Sequence, residues 1–102
     1  MKVIEKLSER IEEELKDAEC YAKWALKYRD DYPELARIAN NLSAQELDHM
    51  NSLHSVATQI IDQYRRMNGE PPAEMQAVYD YLHRKQIDKA AEVGILRSMY
   101  KA

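Results

Sequence analysis

The sequence predicts an all-α fold, and three observations carry that reading. Only two glycines and three prolines interrupt 102 residues. Phe is absent, while Ala, Leu, Glu, Lys, Gln and Met, the strong helix formers, are plentiful. The prolines are confined to two segments, DDYPEL at residues 30–35 and NGEPPAE at 68–74, which leave three long uninterrupted stretches.

The first stretch, from about residue 3 to 30, places Ile4, Leu7, Ile11, Glu14, Ala18, Tyr21, Ala25 and Tyr28 at an alternating three-four spacing, the pattern of one buried helical stripe. Pro lacks an N–H and fits the first turn of a helix, so Pro33 opens the second element, with Glu34 facing the positive end of its dipole. That helix runs to about residue 67, where Gly69 suits its close, and its stripe reads Leu35, Ala39, Leu42, Glu46, His49, Leu53, Val56, Ile60, Gln63 and Met67. Met50, Ala57 and Tyr64 widen the apolar face of this helix into a bed for the next. Pro72 and Glu74 open a third helix, from about residue 72 to 100, whose apolar set Met75, Val78, Leu82, Leu96 and Met99 shares a stripe with Lys85, Lys89 and Glu92. The expected whole is a single helical domain over residues 1–102 in which helices 1 and 2 form an antiparallel hairpin.

Bulk properties exclude several functions. Fifteen Lys and Arg against eighteen Asp and Glu give a net charge of −3 with no segregated basic block, so a nucleic-acid partner is not expected. No run approaches the roughly 20 apolar residues of a membrane span, and no membrane partner is expected. Cys20 is the sole cysteine, and charges occupy the N-terminal MKVIEKLSER where a signal peptide is apolar. Both point to a reduced, cytoplasmic setting. One core of this size is marginal alone, which favours oligomerisation.

Two apolar stripes turn ionisable near their middles, at Glu14 and at Glu46 and His49. An unpaired charge buried there would cost several kcal/mol or force neutralisation. In a hairpin, residues that face each other are equidistant from the turn. The midpoint of Glu14 and Glu46 is residue 30, and that of Glu14 and His49 lies between 31 and 32, both in the turn that Pro33 locates independently. The three residues therefore belong at one level between the helices. Glu46-Leu47-Asp48-His49 is an ExxH element, whose three-residue spacing puts a carboxylate and an imidazole on one helical face.

On those residues the segment 14–54 resembles the first half of a rubrerythrin-type or ferritin-like domain. The pattern is Glu14, Ala18 and Tyr21, then Tyr32-Pro-Glu-Leu-Ala-Arg-Ile-Ala39, then Ala44-Gln-Glu46-Leu-Asp-His49. The resemblance implies Glu14 as a terminal ligand, Glu46 as a bridging ligand and His49 as an imidazole ligand of a di-iron or di-manganese centre, zinc being a further metal for such a set. A complete domain of the family has four helices and two half-sites, whereas this chain has three helices and one. It is in that respect similar to encapsulated ferritins, whose centre forms between two subunits. That similarity implies a homodimer, or a multiple of it, holding two iron ions per dimer and completing the bundle by dimerisation. It implies in addition an encapsulating shell or a redox partner, neither of which the residues themselves identify.

Other residues were weighed against this set. Glu92, in AAEVGILRSMY, could stand for the third-helix Glu of the family, and Asp80-Tyr-Leu-His83 is a shortened cousin of ExxH. They stand nine residues or more apart on one helix, roughly 13 Å, so one centre cannot use both. Tyr21 is either a hydroxyl donor beside the ligands or an ordinary core residue. His54, about 140° round the helix from His49, is read as a solvated surface residue. Trp24 flanks the first stripe and calls for cover from helix 3 or another subunit. The expected function is iron oxidation or binding, or peroxide or oxygen reduction, with a ferroxidase-like oxidoreductase as the enzyme class. The same residues also suit a metal-free helical assembly or interaction protein that uses its polar layer for specificity.

Overall fold

Proline and glycine place the helix boundaries. In the computed structural model, which describes residues 1–101, α1 spans Lys2–Tyr28, α2 Pro33–Asn68 and α3 Ala73–Lys101, with no strand among the described residues. Pro33 stands in the first turn of α2, where the Ala36 N–H donates to the Tyr32 carbonyl at 3.0 Å. At the other end Gly69 takes φ +80° and its N–H returns to the Arg65 carbonyl at 2.9 Å. That left-handed backbone is costly for any residue with a Cβ, and it ends α2. Among the described residues, no helix is long and apolar enough to cross a membrane.

The three helices form an elongated bundle of 55 × 18 × 17 Å with α1 as its centre. Ile4, Ile11, Glu14, Leu15, Ala18, Ala22 and Ala25 are buried along α1, more than one helical face can account for, because α1 packs against both neighbours. Toward α2, Ile11 and Leu15 meet Met50 with Leu47 and Leu53 around them; toward α3, Ala18 and Ala22 meet Val93 and Leu96. Full burial of an aliphatic side chain such as Leu15 contributes about 1.5–3 kcal/mol. Going back along α1 from residue 18 to 11, the partners on α2 advance from Ser43 through His49 to Met50.

Small residues line the α1–α2 contact. Ala18, Ala25, Ala36, Ala39 and Ser43 are all sealed from solvent, and the Ser43 Oγ donates to the Ala18 carbonyl at 2.8 Å. A serine can reach the backbone of another helix only when the two backbones lie close. This contact rolls α2 away from the stripe expected of it. Its buried residues are Ala36, Ala39, Ser43 and Met50, whereas Leu35, Val56 and Met67 are exposed at 40%, 44% and 75%.

The third helix lies along α1 and only lightly touches α2. Its inner stripe is also turned from the expected one. Tyr79, Leu82, Gln86, Lys89, Val93, Leu96 and Tyr100 are buried or half-buried at alternating three-four spacing, while Val78 and Met99 are exposed. Partners on α1 explain how polar residues occupy that stripe. The Gln86 Nε2 donates to the Ser8 Oγ at 2.9 Å, and Lys89 Nζ lies 2.5 Å from Glu19. This ion pair holds Glu19 below and Lys89 above their ordinary pKa values. The N-terminal ammonium donates to the Tyr79 hydroxyl at 2.8 Å, and Arg29 to the Met99 carbonyl at 3.2 Å, so α3 is tied to α1 near both ends.

Candidate metal centre

At the middle of the α1–α2 contact, Glu14 meets Glu46 and His49 from successive turns of α2. One ligand atom from each lies within 4.8 Å of the others. The His49 Nδ1 stands 3.5 Å from Glu14 Oε2 and 3.6 Å from Glu46 Oε2. These separations are too long for good hydrogen bonds but suit ligation of a common ion. Two ligand atoms each about 2.1 Å from one cation, at a tetrahedral angle, stand about 3.4 Å apart. The donor set of two carboxylates and one imidazole suits iron, manganese or zinc.

The site is graded from inside to outside. Glu14 is buried, Glu46 half-buried, and the His49 side chain 58% exposed. A hydrogen bond from Glu46 holds the Glu14 carboxyl below the ordinary range against the opposing effect of burial, with help from Arg10 and His49. Glu46 moves the other way, raised first by its hydrogen bond to Glu14 and then by burial and the Glu14 charge. The two carboxyls thus shift each other in opposite directions, Glu14 toward easier and Glu46 toward harder ionisation. Arg10 Nε lies 3.5 Å from Glu14 Oε1 and also binds Glu13, which steadies the buried carboxylate from the side away from His49.

The remaining sequence candidates lie elsewhere. Glu92 is exposed and pairs with Lys89 at 3.5 Å. Asp80 accepts a hydrogen bond from Gln76 at 2.8 Å, and His83 pairs with His54. Glu14, Glu46 and His49 are the one group of three or more such ligands among the described residues. Tyr21 is half-buried with its ring edge-on to Trp24 at 6.0 Å, and Trp24 remains 44% exposed.

His54 is not a freely solvated residue. Its Nε2 lies 2.7 Å from the His83 Nδ1, and the two rings stack with centroids 4.5 Å apart and planes 17° from parallel. Partial burial, and then the neighbouring His83, lower the His54 pKa, so its ring is neutral at pH 7. Sequence reasoning missed this pair although the signal was present. The midpoint of residues 54 and 83 falls between Asn68 and Gly69, at the α2–α3 turn, just as Glu14 and Glu46 straddle the first turn.

Comparison of the chain with protein-family models, with curated proteins and with solved structures finds no match.

Proposed function

We propose that this chain is a ferritin-like metal-binding protein whose α1–α2 pair is an antiparallel hairpin carrying half of a two-ion carboxylate site, completed when two copies associate. The observation that carries the reading is the convergence of Glu14, Glu46 and His49, from two helices, at ligand-like separations. Two copies supply four glutamates and two histidines, the ligand count of a di-iron or di-manganese bundle centre. Support for the second copy comes from α2. Leu35, Ile38 and Val56 stand exposed on the side of the helix that also presents His49, and burying that face would bring two half-sites together.

Bound iron would supply one-electron chemistry toward oxygen or peroxide. The residues of the chain prepare for it. Glu14, Glu46 and His49 would hold the ion, and Arg10, 3.5 Å from Glu14, keeps that carboxylate oriented. His49, half in water, offers its ring nitrogen at the open edge through which an ion enters. Iron oxidation or binding is the primary reading. A metal-free assembly role is the second, favoured by Arg10, which already pairs with Glu14 in the polar layer.

Metal analysis of the purified protein, paired with light scattering in the presence of ferrous ion, tests the proposal. Retention of two ions per dimer, lost in Glu46→Ala and His49→Ala, is expected. A monomer with no bound metal under those conditions would replace it with the assembly reading.

A further inference from the structure

The α2–α3 junction holds a second set of metal donors. We propose that His54 and His83 form a metal site, separate from the carboxylate centre, that clasps α2 to α3 and takes a borderline divalent cation such as Zn2+, Ni2+ or Cu2+. Two imidazole nitrogens from different helices already lie 2.7 Å apart. Nitrogens bound at about 2.0–2.1 Å stand roughly 2.9 Å apart when cis on square-planar or octahedral Cu2+ or Ni2+ and about 3.3–3.4 Å apart on tetrahedral Zn2+, so a rotation of the two rings that parts the nitrogens by less than about 1 Å seats the ion.

The pair opens on a cleft of about 400 Å³ among the three helices, whose walls include Asp62, Thr58 and Asp80 but none of Glu14, Glu46 and His49. Asp80 is one helical turn before His83, and rotation of its side chain away from Gln76 supplies a carboxylate as third ligand. Water completes the set. The cationic Arg65 in the same wall is engaged by Asp62, Glu70 and Gln76 and does not oppose a cation with a free charge.

The protons balance without an outside base. Across the 2.7 Å contact one ring nitrogen donates its hydrogen to the other. The donating ring moves that hydrogen to its second nitrogen, so both rings present a lone pair and no net proton leaves. Imidazoles are softer donors than the paired glutamates of the first site, which separates the two in metal preference. A clasp also adds most at this place, because α3 packs on α1 and barely on α2. Besides the histidine pair, Arg65 to Gln76 at 2.7 Å is the one hydrogen bond between those helices among the described residues.

The test uses the full chain with Glu46→Ala and His49→Ala together, which removes the first site, so failure of the carboxylate reading leaves this experiment intact. Calorimetric titration with ZnCl2 should show one ion per chain, and adding His54→Ala or His83→Ala should weaken binding at least tenfold, with Asp80→Asn weakening it less. Electron paramagnetic resonance of bound Cu2+ should show coupling to two imidazole nitrogens, a readout that needs no further variant. Should the double variant fail to fold, His54→Ala in the otherwise unaltered protein should lower the zinc stoichiometry by one per chain. Unchanged affinity and stoichiometry on loss of His54, or a Cu2+ spectrum without nitrogen coupling, would overturn the proposal.

Discussion

The two contacts made by α2 are built on opposite plans. Against α1, alanines and Ser43 bring the backbones close, and the ionisable groups caught between them, Glu14 and Glu46, shift each other's pKa in opposite directions. Against α3 there is little packing, and the ionisable groups, His54 and His83, bridge an open cleft from the two sides. Close approach forces carboxylates to settle their charges with each other, whereas separation leaves longer imidazole side chains to span a gap. The ionisable clusters thus follow from helix spacing, and helix spacing follows from residue size.

The largest effect expected from this contrast is on stability. Leu15→Ala, at the core of the α1–α2 contact, should cost about 2–5 kcal/mol in urea unfolding, whereas Ile95→Ala, on the exposed side of α3, should stay within about 0.5 kcal/mol. Equal losses would mean that burial at the α1–α2 contact does not set the cost. Next in size is metal linkage. A cation at a hundredfold excess over the Kd of the carboxylate site should add about 2.7 kcal/mol there, a rise in Tm of several degrees, and Glu46→Ala and His49→Ala should each lose that share while His54→Ala keeps it.

Removing the hydroxyl that reaches across the close contact is a smaller perturbation. Ser43→Ala should cost about 1 kcal/mol, since the Ala18 carbonyl loses a partner where water is excluded. Smallest is the pH response of the open contact. Because the folded state lowers the His54 pKa, its stabilising contribution is full above the ordinary histidine value of about 6.5 and is lost as pH falls through the lowered value. Melting temperature followed downward from pH 7 should show that loss, and His54→Asn should flatten it. The carboxylate pair acts lower on the scale and in two directions. Glu14 stabilises above the ordinary glutamate range and loses its effect as pH falls through its lowered value, while the contribution of Glu46 is present below that range and is lost as pH rises through its raised value.

Pro33 and Gly69 made the helix divisions readable, and the midpoint of the first turn made the proximity of Glu14, Glu46 and His49 readable before any coordinates. The faces of α2 and α3 were harder. Periodicity weights large apolar residues, and so favoured Leu35, Val56 and Met67, yet the helices approached along the small ones. In α3 the inward stripe includes Gln86 and Lys89, which hydropathy assigns to water and which only their partners Ser8 and Glu19 on another helix make tolerable. His54 was compared with His49 on its own helix, when the informative comparison was across the second turn to His83.

The position of α1 between the other two also gives the molecule an order of disassembly. Because α3 is fastened to α1 by one small apolar cluster around Val93 and a few polar ties, and to α2 by less, it should open before the close pairing of the first two helices. Amide exchange should then open the backbone of α3 ahead of the buried middle of α1, and a protease should cut first within α3. The carboxylate layer would outlast the loss of α3, so the chain's own final segment acts as a removable strut alongside a pair that holds itself together.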